Sequence, residues 1–443
     1  MLLKLRVDPA TALLYPEGWQ SWTPTTTYGA TDEPFQPVDD AHRLMGYGPG
    51  ACGPGFIGSG LLAVRPAHDE AIRLFAAPSP LEIHPIRAVL EDDLLLLDAE
   101  GPVVEHATGT NHIPTALRSW AVEFAAGAGI GPVRPAPRVW CSWYQYFTDV
   151  TEADIVDNLA AMDARALPID VVQIDDGYQR DIGDWLEPSE RFADLGALVS
   201  RIRTAGRRAG IWVAPFLVGE HSRVAAEHPE WLVPGAKPGW NWGQKLTALD
   251  LANAAVHEHL VRVFSTLSAL GIDYFKLDFL YAGAIPGDHR SVTAAIAAYR
   301  DGLRVIRAAV GDQAYLVGCG APTLASVGLV DAMRVSPDTA PYVEPMSGDL
   351  SSPGQRSAIM TGRARQWQNM VLWRNDPDCL LARQEVAERE TWAAHVASVD
   401  GLRSVSDRIN GLDEWGLATT RDYLSRGARS AGPTPRSDRD RDS

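Results

Sequence analysis

From residue 138 onward the chain repeats one unit: a short run that is apolar on both faces, a polar residue at its end, then an amphipathic helix or a loop. Eight such runs can be read: "RVWCSWY" (138–144), "IDVVQIDD" (169–176), "GIWVAPF" (210–216), "YFKLDF" (274–279), "AYLVGCG" (314–320), "DAMRVS" (331–336), "MVLWRNDPD" (370–378) and "GLRSVSD" (401–407). A strand that is apolar on both faces has to be covered on both, which demands a parallel sheet under helices. Eight units favour closure into an α/β fold of the (β/α)₈ TIM barrel type. A doubly wound open sheet is the alternative, and no GxGxxG follows the first run to support it.

The segments between the runs carry helix signals. Thr151, with Asp154 three residues on, predicts a capped start, and Ile155, Leu159 and Met162 share one face behind it. A helix is expected around Leu195–Arg208, closed by Gly210. Another ends at Gly271, with Val256, Leu260, Val263, Phe264 and Leu267 on one stripe.

Residues 1–135 read differently. Short apolar runs such as "LLAV", "AIRLFAA" and "LEIHPIRAVL" lie between Pro and Gly turns, without a helical period, and predict a β-rich N-terminal domain. "GAGIGPVRPAPR" (127–138) is the expected linker to a barrel over 136–424. The small, polar and charged stretch 425–443 reads as a disordered tail. With 46% apolar and 22% charged residues, the chain has the composition of a globular protein with a sizeable core.

A net charge of −16, without Lys/Arg clusters in the body of the chain, disfavours a nucleic-acid-binding surface, and no nucleic-acid partner is expected. No apolar run is long enough to span a membrane, and the start lacks the continuous apolar stretch of a signal peptide, so no membrane partner is expected. Cys52, Cys141, Cys319 and Cys379 show no CxxC pairing, which fits reduced thiols, neither zinc nor disulfides, and a soluble cytoplasmic chain. Fourteen Trp are the one oddity, because an open indole face is what a sugar ring stacks on.

In a (β/α)₈ barrel the reactive groups stand at the C-terminal ends of the strands, so the position of each polar residue matters. Asp175 and Asp176 end the second run, Trp212 lies in the third, Lys276 and Asp278 end the fourth, Cys319 ends the fifth. Arg334 and Asp338 end the sixth, and "RNDPD" (374–378) ends the seventh. Each has a structural alternative. Asp175 alone can be a turn or cap residue, "NDPD" is good turn chemistry in any fold, and Cys319 fits a small buried residue better than a nucleophile. Lys276 and Asp278 fall on one face of their strand, as a buried ion pair or as two groups aimed into the barrel mouth. Carboxylates on different strands beside Trp, Lys and Arg suit glycoside hydrolysis, which needs one at the anomeric carbon and one acid at the leaving oxygen. These stand about 5–5.5 Å apart for retention or about 6.5–9.5 Å for inversion. Asp278 and Asp338 are the candidates.

Eight motifs in order then carry a resemblance: "GWQSW" (18–22), "WCSWYQYF" (140–147), "QIDDGYQRDIGDW" (173–185), "GIWVAPF", "YFKLDFLYAGAIPG" (274–287), "GCGAP" (318–322), "MRVSPDTAPY" (333–342) and "NDPDCLLAR" (375–383). Over roughly 18–410 the chain resembles glycoside hydrolase family 36, the melibiase-type α-galactosidases. The resemblance implies a retaining mechanism on a small oligosaccharide or α-galactoside, without metal or organic cofactor. It matches Asp278 to the nucleophile, Asp338 to the acid/base, and Asp175 and Asp176 to carboxylates binding the galactose C4 and C6 hydroxyls. Lys276, Arg334 and Cys319 line that subsite, Trp212 packs on the sugar, Trp143 and Tyr144 flank it, and Trp22 reaches over the mouth. The front edge of the family's N-terminal sandwich is expected to be shortened and its C-terminal β-domain absent. The oligomeric state stays open. A transgalactosylase, an α-N-acetylgalactosaminidase, a metal-dependent barrel hydrolase with Asp175, Asp176 and Asp278 as ligands, and an inactive sugar-binding protein remain as alternatives.

Overall fold

The computed structural model describes residues 3–48, 50–51, 53–288 and 295–426. Cys52, His289 and the expected tail beyond Arg426 lie outside the described residues.

All eight runs form strands of one sheet: β1 (Arg138–Cys141), β2 (Val171–Ile174), β3 (Arg208–Val213), β4 (Ile272–Leu277), β5 (Tyr315–Gly318), β6 (Ala332–Arg334), β7 (Arg374–Asp376) and β8 (Arg403–Val405). Every paired neighbour is parallel, and each strand from β1 to β6 pairs with the next in sequence, while β8 returns to β1 through Arg138↔Arg403 and Trp140↔Val405. The remaining gap closes through backbone bonds, Leu380 N–H to the Ser404 carbonyl at 2.8 Å and Leu402 N–H to the Asn375 carbonyl at 2.9 Å. This is a TIM barrel, and its interior is packed: Val139, Val171, Tyr274, Tyr315, Val317 and Leu402 form one buried cluster, while the alternate positions Ile174, Ile211, Phe275 and Leu316 are buried against the helices.

Helices cover it where the caps direct them. Helix α1 (Glu152–Ala164) starts with a reciprocal capping box, Thr151 taking the Asp154 N–H while Asp154 takes the Thr151 N–H, and buries Ile155, Leu159 and Met162. Helix α2 (Leu195–Thr204) is shorter than expected. It ends at Thr204 and turns at Gly206, whose φ of +77° only glycine adopts readily, so Gly210 belongs to β3 and caps nothing. Helix α3 (Ala254–Ala269) does end at Gly271, at φ +102°.

The N-terminal region is two antiparallel sheets packed face to face. One orders Leu3–Arg6, Leu94–Ala99, Pro85–Glu91 and Phe56–Ser59; the other orders Tyr28–Gly29, Leu13–Pro16, Leu61–Arg65, Arg73–Ala76 and Val104–Ala107. Leu61–Arg65 shows why "LLAV" lacks alternation. Leu62 and Val64 fill the core between the sheets, while Leu61 and Ala63 face the other way into the core shared with the barrel.

Two stretches contradict the sequence reading of this region as free of helix: a short helical segment over Asp40–Tyr47, and Ile113–Gly127, a 15-residue helix. Its Ile113, Leu117, Trp120, Ala121 and Phe124 bury one stripe, so the 3.6 period is present, with Pro114 in the first turn where a missing N–H costs nothing. A further unforeseen element follows β3: a small three-stranded sheet of Leu217–Gly219, Gln244–Ala248 and Trp240–Asn241.

The two parts are clamped together. Arg365, fully buried, donates to Glu17 Oε1 at 2.7 Å, to the Ser21 carbonyl at 2.7 Å and to Thr25 Oγ1 at 2.9 Å. A Cβ on Gly18 would stand 2.6 Å from Thr23 and 2.7 Å from the Arg365 guanidinium, so this close approach needs a glycine. The clamp delivers the "GWQSW" stretch to the mouth of the barrel.

Candidate active site

The strand ends place two clusters of charge at the barrel mouth. At β2 and β4, the Lys276 ammonium lies 3.3 Å from Asp175 Oδ2 and 3.8 Å from Asp278 Oδ2. Asp278 is held at both oxygens: Trp212 Nε1 donates to Oδ2 at 2.9 Å and the Phe279 N–H to Oδ1 at 2.8 Å. Asp175 also accepts from Gln173 Nε2 and from the Cys141 thiol at 3.2 Å. Burial works against a charged Lys276, but the Asp175 and Asp278 carboxylates outweigh it and hold the ammonium pKa well above its ordinary value. The ammonium also occupies the position between Asp175 and Asp278 that a bridging divalent ion would need.

Asp176 is fixed from two sides, by Gln179 Nε2 at 2.5 Å on Oδ1 and Trp242 Nε1 at 2.7 Å on Oδ2. Burial still pushes its carboxyl up to about 6, with the negative charges of Asp175 and Asp278 adding to the shift and the two donors opposing it.

At β6 and β7 the hub is Arg334, which reaches three carboxylates: Asp338 Oδ1 at 2.6 Å, Asp376 Oδ2 at 3.1 Å and Asp378 Oδ1 at 2.9 Å. Asp378, at φ +82°, also takes the Tyr144 hydroxyl, the Thr339 N–H at 2.8 Å and the Cys379 N–H at 2.7 Å. Asp338 alone of the three opens to the cavity, with 26% of its side chain exposed against 4% for Asp376 and 0% for Asp378. Burial pushes the Asp338 carboxyl up to about 7; Arg334 pulls it down, while Asp378 and Asp278 push it further up.

Between the clusters lies a cavity of about 560 Å³. Of the residues singled out in the sequence, Asp175, Asp176, Trp212, Lys276, Asp278, Asp338, Trp143 and Trp22 line it. Arg334, Tyr144 and Cys319 do not: Arg334 lies behind Asp338 and Tyr144 behind Asp378, while Cys319 is fully buried, with its thiol pKa raised chiefly by burial. Trp22 packs edge-on against Phe279 at 4.9 Å, beneath a roof of His42 and Met45 from the N-terminal region.

Three contributors escaped the sequence reading. Asp376 and Asp378, taken as turn residues, are the counter-charges of Arg334. Trp242 comes from the small sheet after β3, on a two-residue turn in which Trp242 (φ +52°) and Gly243 (φ +68°) both have positive φ between the paired Asn241 and Gln244. Such turns favour Asn-Gly, so a Trp at the first position is an outlier that the Asp176 contact helps to explain.

Comparison with known proteins follows the same lines. The melibiase family pattern matches residues 132–295. A bifunctional α-galactosidase/sucrose kinase of Mediterraneibacter gnavus is 30% identical over 165 residues, covering 33% of this chain and 17% of that protein, so the matched stretch spans less than a fifth of its length. Among solved structures, the Thermus thermophilus α-galactosidase in complex with p-nitrophenyl α-D-galactopyranoside is 32% identical with a TM-score of 0.82, covering 96% of this chain and 88% of that one. The same enzyme has been solved in complex with stachyose. The family 36 α-galactosidase AgaA of Geobacillus stearothermophilus, 15% identical at a TM-score of 0.60 over 95% of this chain and 61% of that one, shares the fold.

Proposed function

Because the chain belongs to the melibiase-type α-galactosidases of glycoside hydrolase family 36, we propose that it removes terminal α-linked galactose from oligosaccharides with retention of configuration. The observation that carries this reading is the contrast between two carboxylates of one cavity. Asp278 is gripped by donors, Trp212 and Phe279 N–H, with the Lys276 ammonium 3.8 Å away, whereas Asp338 holds its proton up to about pH 7. A nucleophile and a general acid need that division.

In the first step a carboxylate oxygen of Asp278 attacks the anomeric carbon as the bond to the leaving oxygen breaks. Asp338 gives its proton to that oxygen, leaving a β-galactosyl ester on Asp278. In the second step water attacks the same carbon, its proton passes to Asp338, and the ester bond breaks to release α-galactose. Asp175 and Asp176 accept hydrogen bonds from the sugar hydroxyls at the closed end, with Trp212 beside the ring.

The pH dependence has a definite sign. Asp338 must be protonated for the first step, so activity falls as pH rises through about 7. Asp176 serves as an acceptor when ionised, so binding weakens as pH falls through about 6. The profile of kcat/KM is therefore a narrow bell between these limbs. NMR of the first-formed product from an aryl α-galactoside tests the reading: α-galactose appears first if it holds, and β-galactose appearing first rejects it.

A further inference from the structure

Trp240 stands on the edge strand of the small sheet after β3, two residues before the indole that holds Asp176. It is the one exposed Trp among the described residues, at 59%, and it lines the outer part of the cavity together with Asn241, Ser351 and Ser352. The lining is braced across domains, because His42 Nε2 meets Ser352 Oγ at 3.1 Å. The strand carrying Trp240 is also fixed in place. Its turn has the unusual positive φ at Trp242, and Trp242 is pinned by the 2.7 Å bond to Asp176 and by packing on Phe279 at 4.8 Å. An open indole face is thus held rigidly at the entrance of a carboxylate-lined cavity.

The cavity also exceeds what one sugar ring needs. A hexose has twelve heavy atoms, and at no more than the ~30 Å³ that a water takes in the liquid they fill at most about 360 Å³. The cavity holds about 560 Å³.

We propose that Trp240 is the stacking platform for the sugar ring attached to galactose, with Asn241, Ser351 and Ser352 as hydrogen-bonding groups around that ring, so that the site selects α-galactosides whose leaving group is itself a sugar. The assignment rests on the glycosidase reading and adds to it where substrate discrimination arises. A sugar presents a C–H face to an indole and hydroxyls at its edge, which is the combination of one aromatic surface and a few polar groups offered here. Stacking of this kind contributes to binding the leaving group and nothing to the galactosyl ring.

The test compares two substrates on the full chain: a galactosyl-α-1,6-glucose disaccharide, and α-galactosyl fluoride, whose leaving group has no ring. In Trp240→Ala the ratio of kcat/KM for the disaccharide to that for the fluoride falls about tenfold, and Trp240→Tyr restores most of it. An unchanged ratio overturns the assignment, as does an equal loss on both substrates or a failure of Tyr to restore the ratio. An equal loss accompanied by altered sedimentation assigns Trp240 to a protein contact instead. A folded parent chain that releases no fluoride overturns the glycosidase reading itself, a result separate from any change in the ratio.

Discussion

Lys276 at the end of β4 and Arg334 at the end of β6 are both buried cations among carboxylates, yet they face different numbers of them and serve them differently. Lys276 is a compact charge shared by Asp175 and Asp278, at 3.3 and 3.8 Å. Arg334 spreads its planar fork over Asp338, Asp376 and Asp378, all within 3.1 Å. Three carboxylates exceed what one guanidinium can neutralise, and Asp338 and Asp376 are both pushed up, burial being the largest cause. In the proposed mechanism Asp338, the member of the three that opens to the cavity, exchanges its proton with the substrate. The comparison teaches how a carboxyl 2.6 Å from a guanidinium can keep its proton: burial penalises its charged form most, and the cation that opposes this is also engaged by Asp376 and Asp378.

The comparison breaks most visibly at Lys276. In Lys276→Met, Asp175 and Asp278 lose their shared cation. The account predicts a fall of roughly 10³ in kcat/KM on an aryl α-galactoside and a loss of about 3–5 kcal/mol in stability, read by denaturant unfolding.

At the Arg334 cluster, Asp378→Asn keeps a residue that tolerates φ +82° and removes one negative charge. Arg334 then acts more fully on Asp338, whose proton leaves at lower pH. The alkaline limb of kcat/KM shifts down by about one pH unit, costing about fivefold at pH 7 and little at pH 5.5. An alkaline limb that stays in place in a folded variant contradicts the sharing of Arg334.

The smallest effect is expected at Trp242→Asn, which puts the favoured Asn-Gly pair into the turn while removing the donor to Asp176. The favoured turn retains the hairpin and partly offsets the lost packing of Trp242 on Phe279, so the melting temperature falls by no more than a few degrees. The Asp176 carboxylate loses a stabilising hydrogen bond, so the acid limb moves up by about half a unit, with KM rising at pH 6.

How much of this is legible in the sequence depends on the range of the interaction. The barrel strands are legible because strands buried on both faces leave continuous apolar runs. The start of α1 is legible because Thr151 and Asp154 bond each other locally. The helix Ile113–Gly127 also carries its period in full, and is obscured only by the turn-rich sequence around it. The candidate site is legible where side chains leave the strand ends, as at Asp175, Lys276, Asp278 and Asp338. It is not legible where a partner is distant. Trp242 meets Asp176 across 66 positions, from a turn whose conformation disfavours Trp. Asp378 does sit in a turn, as "NDPD" suggests, but the fold also turns its carboxylate onto Arg334. Cys319 is a small buried residue, as its type suggests, and lies outside the cavity lining, which its strand-end position alone does not reveal.

The division of labour between Asp278 and Asp338 is tested most directly by azide rescue of two variants on an activated aryl α-galactoside, with the anomeric form of the product read by NMR. The account predicts β-galactosyl azide from Asp278→Ala, where azide enters the vacated nucleophile position, and α-galactosyl azide from Asp338→Ala, where azide attacks the ester on Asp278. The reverse assignment of anomers, or undiminished hydrolysis by Asp278→Ala without azide, would contradict it.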